Sequence, residues 1–160
     1  MSVCIRELSA EDDLDAVLSL CRVFFAEYEA HHDEFFDTDD LRDAHLSGRF
    51  LNSISSDSSK TIIALVDDAI VGYASIVVRD QPEFYRVKRV GAISGLMVEP
   101  AFRRQGIATR LLAEAKRWFR EKGVRYFTVY TATGNAAAVE FYSRSGMQPL
   151  HTTLIGEAQD

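Results

Sequence analysis

The alternation of apolar and polar positions divides the chain into ten elements. Val3 to Leu8 alternates weakly and reads as a first strand. Leu14, Val17, Leu18, Cys21, Phe24, Phe25 and Tyr28 then fall at helical spacing, which predicts a helix from about Glu11 to Glu29. Ser9 followed by Asp12 resembles a capping box at its start. A second helix is predicted from Asp39 or Asp40 to about Ile54. Ser55 to Ser59 is a loop of small polar residues. Thr61 to Val66 and Ile70 to Val78 read as strands joined by a hairpin turn at Asp67-Asp68. A polar connector containing Pro82 leads to a central strand, Val90 to Val98. Glu99-Pro100 ends that strand, because proline has no N–H for a ladder and biases the residue before it to extended backbone.

From Ile107 the period changes to that of a helix. Ile107, Leu111, Leu112, Ala115 and Phe119 form its apolar stripe, Arg110, Lys116, Arg117, Arg120 and Glu121 its polar face, and Gly123 the C′ position. Val124 to Thr131, rich in β-branched and aromatic residues, reads as a strand. Asn135 opens a last helix ending near Gly146, and Met147 to Ile155 supplies one or two final strands. The order β-α-α-β-β-β-α-β-α-β predicts an α+β fold on a mixed, mostly antiparallel sheet. At 160 residues, with no linker or repeat, the chain is expected to form a single domain, residues 1–160.

Composition narrows the function classes. The longest purely apolar stretches, such as Ile62 to Val66, are far too short to span a membrane. The N-terminus has no basic-then-apolar signal, so a cytoplasmic protein is expected, with no membrane partner. The net charge of −6 argues against general nucleic-acid binding. That charge is local. Glu27 to Asp43 holds eight acids against Arg42, which leaves the remainder near +1. Cys4 and Cys21 fall in a strand and a helix and read as reduced core thiols.

The chemistry centres on Arg103-Arg104-Gln105-Gly106-Ile107-Ala108, between the central strand and the long helix. A helix start carries N–H groups without intrahelical partners and the positive end of the dipole, and glycine lets a ligand approach them closely. With two arginines beside it, this is a site for phosphate or pyrophosphate. It is neither a P-loop nor a dinucleotide fingerprint, since no Gly-Lys-Ser/Thr and no Gly-x-Gly-x-x-Gly occurs.

Arg103-x-x-Gly106-x-Ala108, with its flanking strand and helix and with Asn135, Phe141-Tyr142 and Gly146 downstream, resembles the GCN5-related N-acetyltransferase (GNAT) superfamily. The resemblance is sharp over Ala92 to Gly146. It implies a GNAT-like fold whose fourth and fifth strands are parallel and splay apart, flanked by helices, with acetyl-CoA as cosubstrate in the gap. On this reading Arg103, Arg104, Gln105, Gly106, Ile107, Ala108 and Thr109 anchor the pyrophosphate. Leu96, Met97 and Val98 pair with the pantetheine arm, the N–H of Val98 facing the thioester oxygen. Asn135 contacts the pantetheine region, and Tyr142 is the general acid beside the sulfur.

The general base departs from the family pattern. Many relatives carry a glutamate on the central strand, and Ala92 to Val98 has none. Glu34, Glu83 and Tyr85 are the candidates elsewhere, with His31, His32 and a water relay as alternatives. The stretch His31 to Asp37, with Asp33, Glu34, Phe35 and Phe36, lies where the family often builds its acceptor site. Carboxylates and aromatics together suit a cationic amine. No metal is expected. The resemblance therefore implies transfer of an acetyl group to a primary amine by direct attack in a ternary complex. Neither cysteine is expected near the cleft as a covalent carrier. The acceptor is expected to be a small cationic amine, then a protein or peptide amine. The rival class is a non-catalytic CoA-binding or sensor module. Homodimers are common in such families.

Overall fold

The computed structural model describes residues 1–39 and 41–159. The chain divides into two compact units, Met1–Tyr130 and Thr131–Asp160. The first holds five strands and three helices: β1 (Val3–Glu7), α1 (Leu14–Glu29), α2 (Asp43–Ser55), β2 (Ser59–Val66), β3 (Ala69–Asp80), β4 (Arg89–Val98), α3 (Ile107–Glu121) and β5 (Phe127–Val129), with a 3₁₀ turn at Pro100–Phe102. The second holds α4 (Ala136–Arg144). The strands form one sheet in the order β1-β2-β3-β4-β5. All neighbours are antiparallel except β4 and β5, which are parallel.

Strand periodicity explains why both faces of this sheet are covered. Ile63 and Leu65 of β2 and Tyr73 of β3 pack with Val17, Leu18 and Cys21 of α1 and Phe50 of α2. The alternate positions Ile62 and Ala64 are equally buried. The opposite face lies under α3, where Leu111 and Phe119 approach Gly72 and Gly91. A strand buried on both faces reads as a continuous apolar run, as Ile62 to Val66 does. At the β2–β3 hairpin, Asp67 and Asp68 both have positive φ, 48° and 65°, as a two-residue turn matching the strand twist requires.

Several boundaries differ from the sequence expectation. α1 begins at Leu14, because Asp13 caps it by accepting from the N–H of Ala16 at 3.2 Å. Asp12 is committed elsewhere: it accepts two bonds from Arg6, at 2.8 and 2.6 Å, and one from the N–H of Ser9 at 2.7 Å. α2 begins at Asp43, after Asp39; Asp40 lies outside the described residues. Arg22 takes the carbonyl of Leu41 at 2.6 Å and the carboxylate of Asp43, holding the preceding turn extended. Cys4 is exposed on β1 and is not a core thiol.

β5 spans three residues where Val124 to Thr131 was expected. Val124 closes the end of α3 instead, donating to the carbonyl of Phe119 at 2.9 Å while Gly123 donates to Arg120 at 3.0 Å. Among the described residues, Met147 to Ile155 forms no strand, and Leu150, Leu154 and Ile155 are exposed. Apolar residues do not make a strand without a partner to complete the ladder.

Candidate functional site

α3 starts differently from α1 and α4. Its N-cap is Gly106, in the left-handed region at φ 79°, with no side-chain cap and no acid in the first turn. The first intrahelical bond runs from Arg110 to the carbonyl of Gly106, at 3.1 Å. The N–H groups of Ile107, Ala108 and Thr109 therefore have no partner within the helix. Arg104 is also left-handed, at φ 63°. Alternating hands in a short loop turn successive N–H groups into one concavity, which suits an anion.

Of the two arginines, Arg103 is engaged as a brace. Its Nε donates to the carbonyl of Val98 at 2.9 Å, and its guanidinium pairs with Glu27 of α1 at 2.8 Å. Arg104 is exposed.

The adjoining half of β4 has an open edge. Pairing with β5 covers only Gly91 to Ile93. Ser94 is then an extra residue: Ser75 faces Gly95 while Ile76 faces Ile93. This bulge bends β4 where pairing with β5 stops. Beyond it, Gly95 to Val98 pair with β3 alone among the described residues. The N–H of Glu99 donates to Val71 on the β3 side, at 2.8 Å. Strand N–H directions alternate, so those of Val98 and Leu96 turn to the open edge. A splayed strand with free N–H groups thus leads to an uncapped helix start, an arrangement that fits an extended amide-bearing arm ending in a phosphate.

On the α1 face of the sheet lies a cleft of about 600 Å³. Phe24, Phe25 and Tyr28 of α1 border it, with Phe35, Phe36 and Asp37 of the α1–α2 connector. Its floor is Tyr73 and Ser75 of β3 and Ala92 to Gly95 of β4. The aromatics interlock edge to face, Tyr28 with Phe36 at 4.6 Å and Phe50 with Tyr73 at 5.4 Å. The connector is held by Thr38, whose hydroxyl donates to Glu29 at 2.6 Å, and by His32. The Nδ1 of His32 accepts from the N–H groups of Glu34 and Phe35, so His32 shapes this turn.

The sequence candidates separate here. Phe35 and Phe36 border the cleft, whereas Asp33 and Glu34 are exposed and do not. Glu83 and Tyr85 sit in the exposed β3–β4 connector, also away from its lining. Among the described residues, no group of three or more His, Cys, Asp or Glu could hold a metal ion.

Cys21, expected to lie away from the cleft, borders it. Its thiol is buried beside Tyr73, and burial pushes it up from the ordinary value. A thiol held protonated is a poor nucleophile. The Tyr73 phenol is likewise pushed well up by burial.

Arg49 and Arg79 at the cleft were not singled out from the sequence. No local signal marks them, since each is one basic residue within an ordinary element. The hydroxyl of Ser75 is buried without a hydrogen-bond partner.

In the second unit, Asn135 caps α4, its side chain accepting from the N–H of Ala138 at 3.2 Å. Tyr142 is buried, at 9% exposure, and its phenol is pushed up to about 12 by desolvation.

Residues 18–147 match the model of the acetyltransferase (GNAT) family. An aminoglycoside N(6')-acetyltransferase type 1 of Salmonella typhimurium is 29% identical over 71% of this chain and 78% of its own length. A spermidine N(1)-acetyltransferase of Thermoplasma acidophilum is 24% identical over 92% of this chain and 89% of its own. The structure of the aminoglycoside acetyltransferase AAC(6')-Iy, in complex with a bisubstrate analogue of CoA and acetylneamine, superposes with a TM-score of 0.80 at 19% identity, covering 100% of both chains. With its fold, its uncapped loop–helix junction and a family match over most of its length, the chain belongs to the acetyltransferase (GNAT) family and is an N-acetyltransferase.

Proposed function

We propose that this protein transfers the acetyl group of acetyl-CoA to the primary amine of a small molecule that carries an ammonium in solution. One observation carries the cofactor assignment: the uncapped start of α3, with Gly106 left-handed, continues the open edge of β4. The N–H groups of Ile107, Ala108 and Thr109 would hold the pyrophosphate, with Arg104 adding a charge-assisted bond. Leu96 and Val98 would pair with the amide-bearing arm, and the Val98 N–H would stabilise the thioester oxyanion. Arg103 positions this edge by holding the Val98 carbonyl.

In the reaction the neutral amine attacks the thioester carbonyl. A C–N bond forms, the C–S bond breaks, the nitrogen loses a proton to solvent and the thiolate gains one. A free alkylamine has a pKa near 10, so the site must take the acceptor in its neutral form. With no carboxylate on β4, water in the cleft is the proton acceptor in this reading. Tyr142 is assigned to the departing thiolate by the family motif, and Asn135 to the pantetheine region. A phenol near 12 stays protonated at neutral pH and acts as a hydrogen-bond donor. Complete transfer to a thiolate, of pKa about 8.5, would run uphill.

A small acceptor is favoured over a protein amine because the cleft is recessed between α1 and the sheet and lined by interlocked aromatic rings. Asp37 is its one lining carboxylate among the described residues. The test is release of free CoA thiol with small amines and with a lysine-containing peptide, alongside thermal unfolding with acetyl-CoA. Turnover of small amines and a raised Tm support the proposal. No Tm shift at millimolar acetyl-CoA, or thiol release with the peptide alone, overturns it.

A further inference from the structure

We infer that the acceptor carries an anionic group as well as its amine, at opposite ends of an aromatic or bulky apolar body, as in an aminoalkyl benzoate. This deepens the small-amine reading and rests on it. The acidity of the Glu27 to Asp43 segment would suit a polycation only if it faced the cleft. Instead Glu27 is bound to Arg103, Glu29 to Thr38 and Asp43 to Arg22. Asp33 and Glu34 are exposed and do not line it. Asp37 is left as the single described carboxylate there, against two cations, Arg49 and Arg79.

Neither arginine is spent in an ion pair among the described residues, unlike Arg6, Arg22, Arg103 and Arg117. Like charges set against each other across a binding site are costly, so a molecule with several ammonium groups is opposed by this pair. A carboxylate is matched by it, because guanidinium groups grip carboxylates with two parallel bonds.

The two charges also lie toward different ends. Arg79 pairs with Val90 at the start of β4. Asp37 sits in the connector after α1, whose last turns meet Arg103 and the end of β4 through Glu27. The acceptor's amine, set at Asp37, thus lies toward the open edge of β4, and the anion lies toward the far end. The aromatic walls between them receive an apolar body.

The experiment measures thiol release from acetyl-CoA with 4-(2-aminoethyl)benzoate, phenethylamine (the same molecule without its carboxylate) and spermidine. The expected result is a kcat/KM for 4-(2-aminoethyl)benzoate at least about tenfold above phenethylamine, the worth of one charge-assisted bond, with spermidine the poorest. Arg49→Ala/Arg79→Ala should bring the first two amines within about threefold of each other, and Arg79→Glu should favour phenethylamine. Both arginines are exposed, so these variants are expected to fold, and wild-type-like Tm values check that. Equal or better turnover of phenethylamine or spermidine by the unmodified protein overturns this inference and leaves the small-amine reading standing. An unchanged ratio in the double variant also overturns it. Thiol release with none of the three amines overturns this inference, and the small-amine reading falls with it only where acetyl-CoA also leaves Tm unshifted.

Discussion

Gly91 and Gly95 lie four residues apart in β4, and replacing each with alanine should have opposite consequences. A Cβ on Gly91 would sit 2.6, 2.7 and 2.9 Å from Cε1, Cδ1 and Cζ of the Phe119 ring. Ordinary carbon contacts begin near 3.5 Å, so the nearest atom is roughly 0.9 Å too close. The ring has little room to retreat. Phe119 is 2% exposed and stacks on Phe127 at 5.3 Å. The backbone is equally held, since Gly91 pairs with Val78 on one side and Phe127 on the other. Overpacking of this kind costs about 1–3 kcal/mol, and each kcal/mol lowers Tm by roughly 2–4 °C in a chain of this size. Gly91→Ala should therefore unfold roughly 2–12 °C below the unmodified protein.

A Cβ on Gly95 meets Tyr73 at 3.5 Å, an ordinary contact. Gly95→Ala restricts the unfolded chain and should leave Tm unchanged or raise it by about 1–3 °C. Because Gly95 borders the cleft, the added methyl should instead raise the acceptor KM. Calorimetry on both variants, on Phe119→Leu and on Gly91→Ala/Phe119→Leu completes the test. The Gly91→Ala penalty should shrink once the ring is gone. Equal Tm changes at the two glycines, or a penalty indifferent to Phe119→Leu, would refute the close-approach argument.

Gly106→Ala forces a side chain into left-handed backbone at φ 79°, which costs about 1–2 kcal/mol although no atom lies within 4 Å of the new Cβ. Its Tm should fall, and the stabilisation by acetyl-CoA, about 2.7 kcal/mol at a hundredfold excess over Kd, should shrink; an undiminished ligand shift would place the anion elsewhere. Tyr142→Phe should lower kcat about 10²-fold with the acetyl-CoA KM nearly unchanged. With the phenol pushed up to about 12, the kcat profile of the unmodified protein should show no falling limb from Tyr142 below about pH 11. The Arg6 guanidinium holds the Asp12 carboxyl well below the usual carboxylate range. Its contribution to stability is complete above the unfolded value near 4 and is lost as pH falls below it. Asp12→Asn should flatten the acid limb of Tm against pH, and parallel limbs for the two proteins would remove Asp12 from the account.

Local pattern was enough for the order of the first nine elements, the hairpin at Asp67-Asp68, the stripe of α3 and the Gly106 junction. Each depends on a residue's own backbone preference or on one repeat period, both of which act within a few positions of the chain. The late start of α2, the short β5 and the bulge at Ser94 depend on partners distant in sequence: Arg22 on Leu41, β5 on the first half of β4, β3 on the residues around Ser94. The acceptor cleft shows the same division. Aromatic residues at helical spacing in α1 are visible in the sequence, and so is the acidity after them. Which of those acids face the cleft is a tertiary matter, because Arg103, Arg22 and Thr38 bind Glu27, Asp43 and Glu29 from other parts of the chain. Arg49 and Arg79, thirty residues apart, border one cleft only because α2 lies over the face of the sheet to which β3 turns alternate side chains.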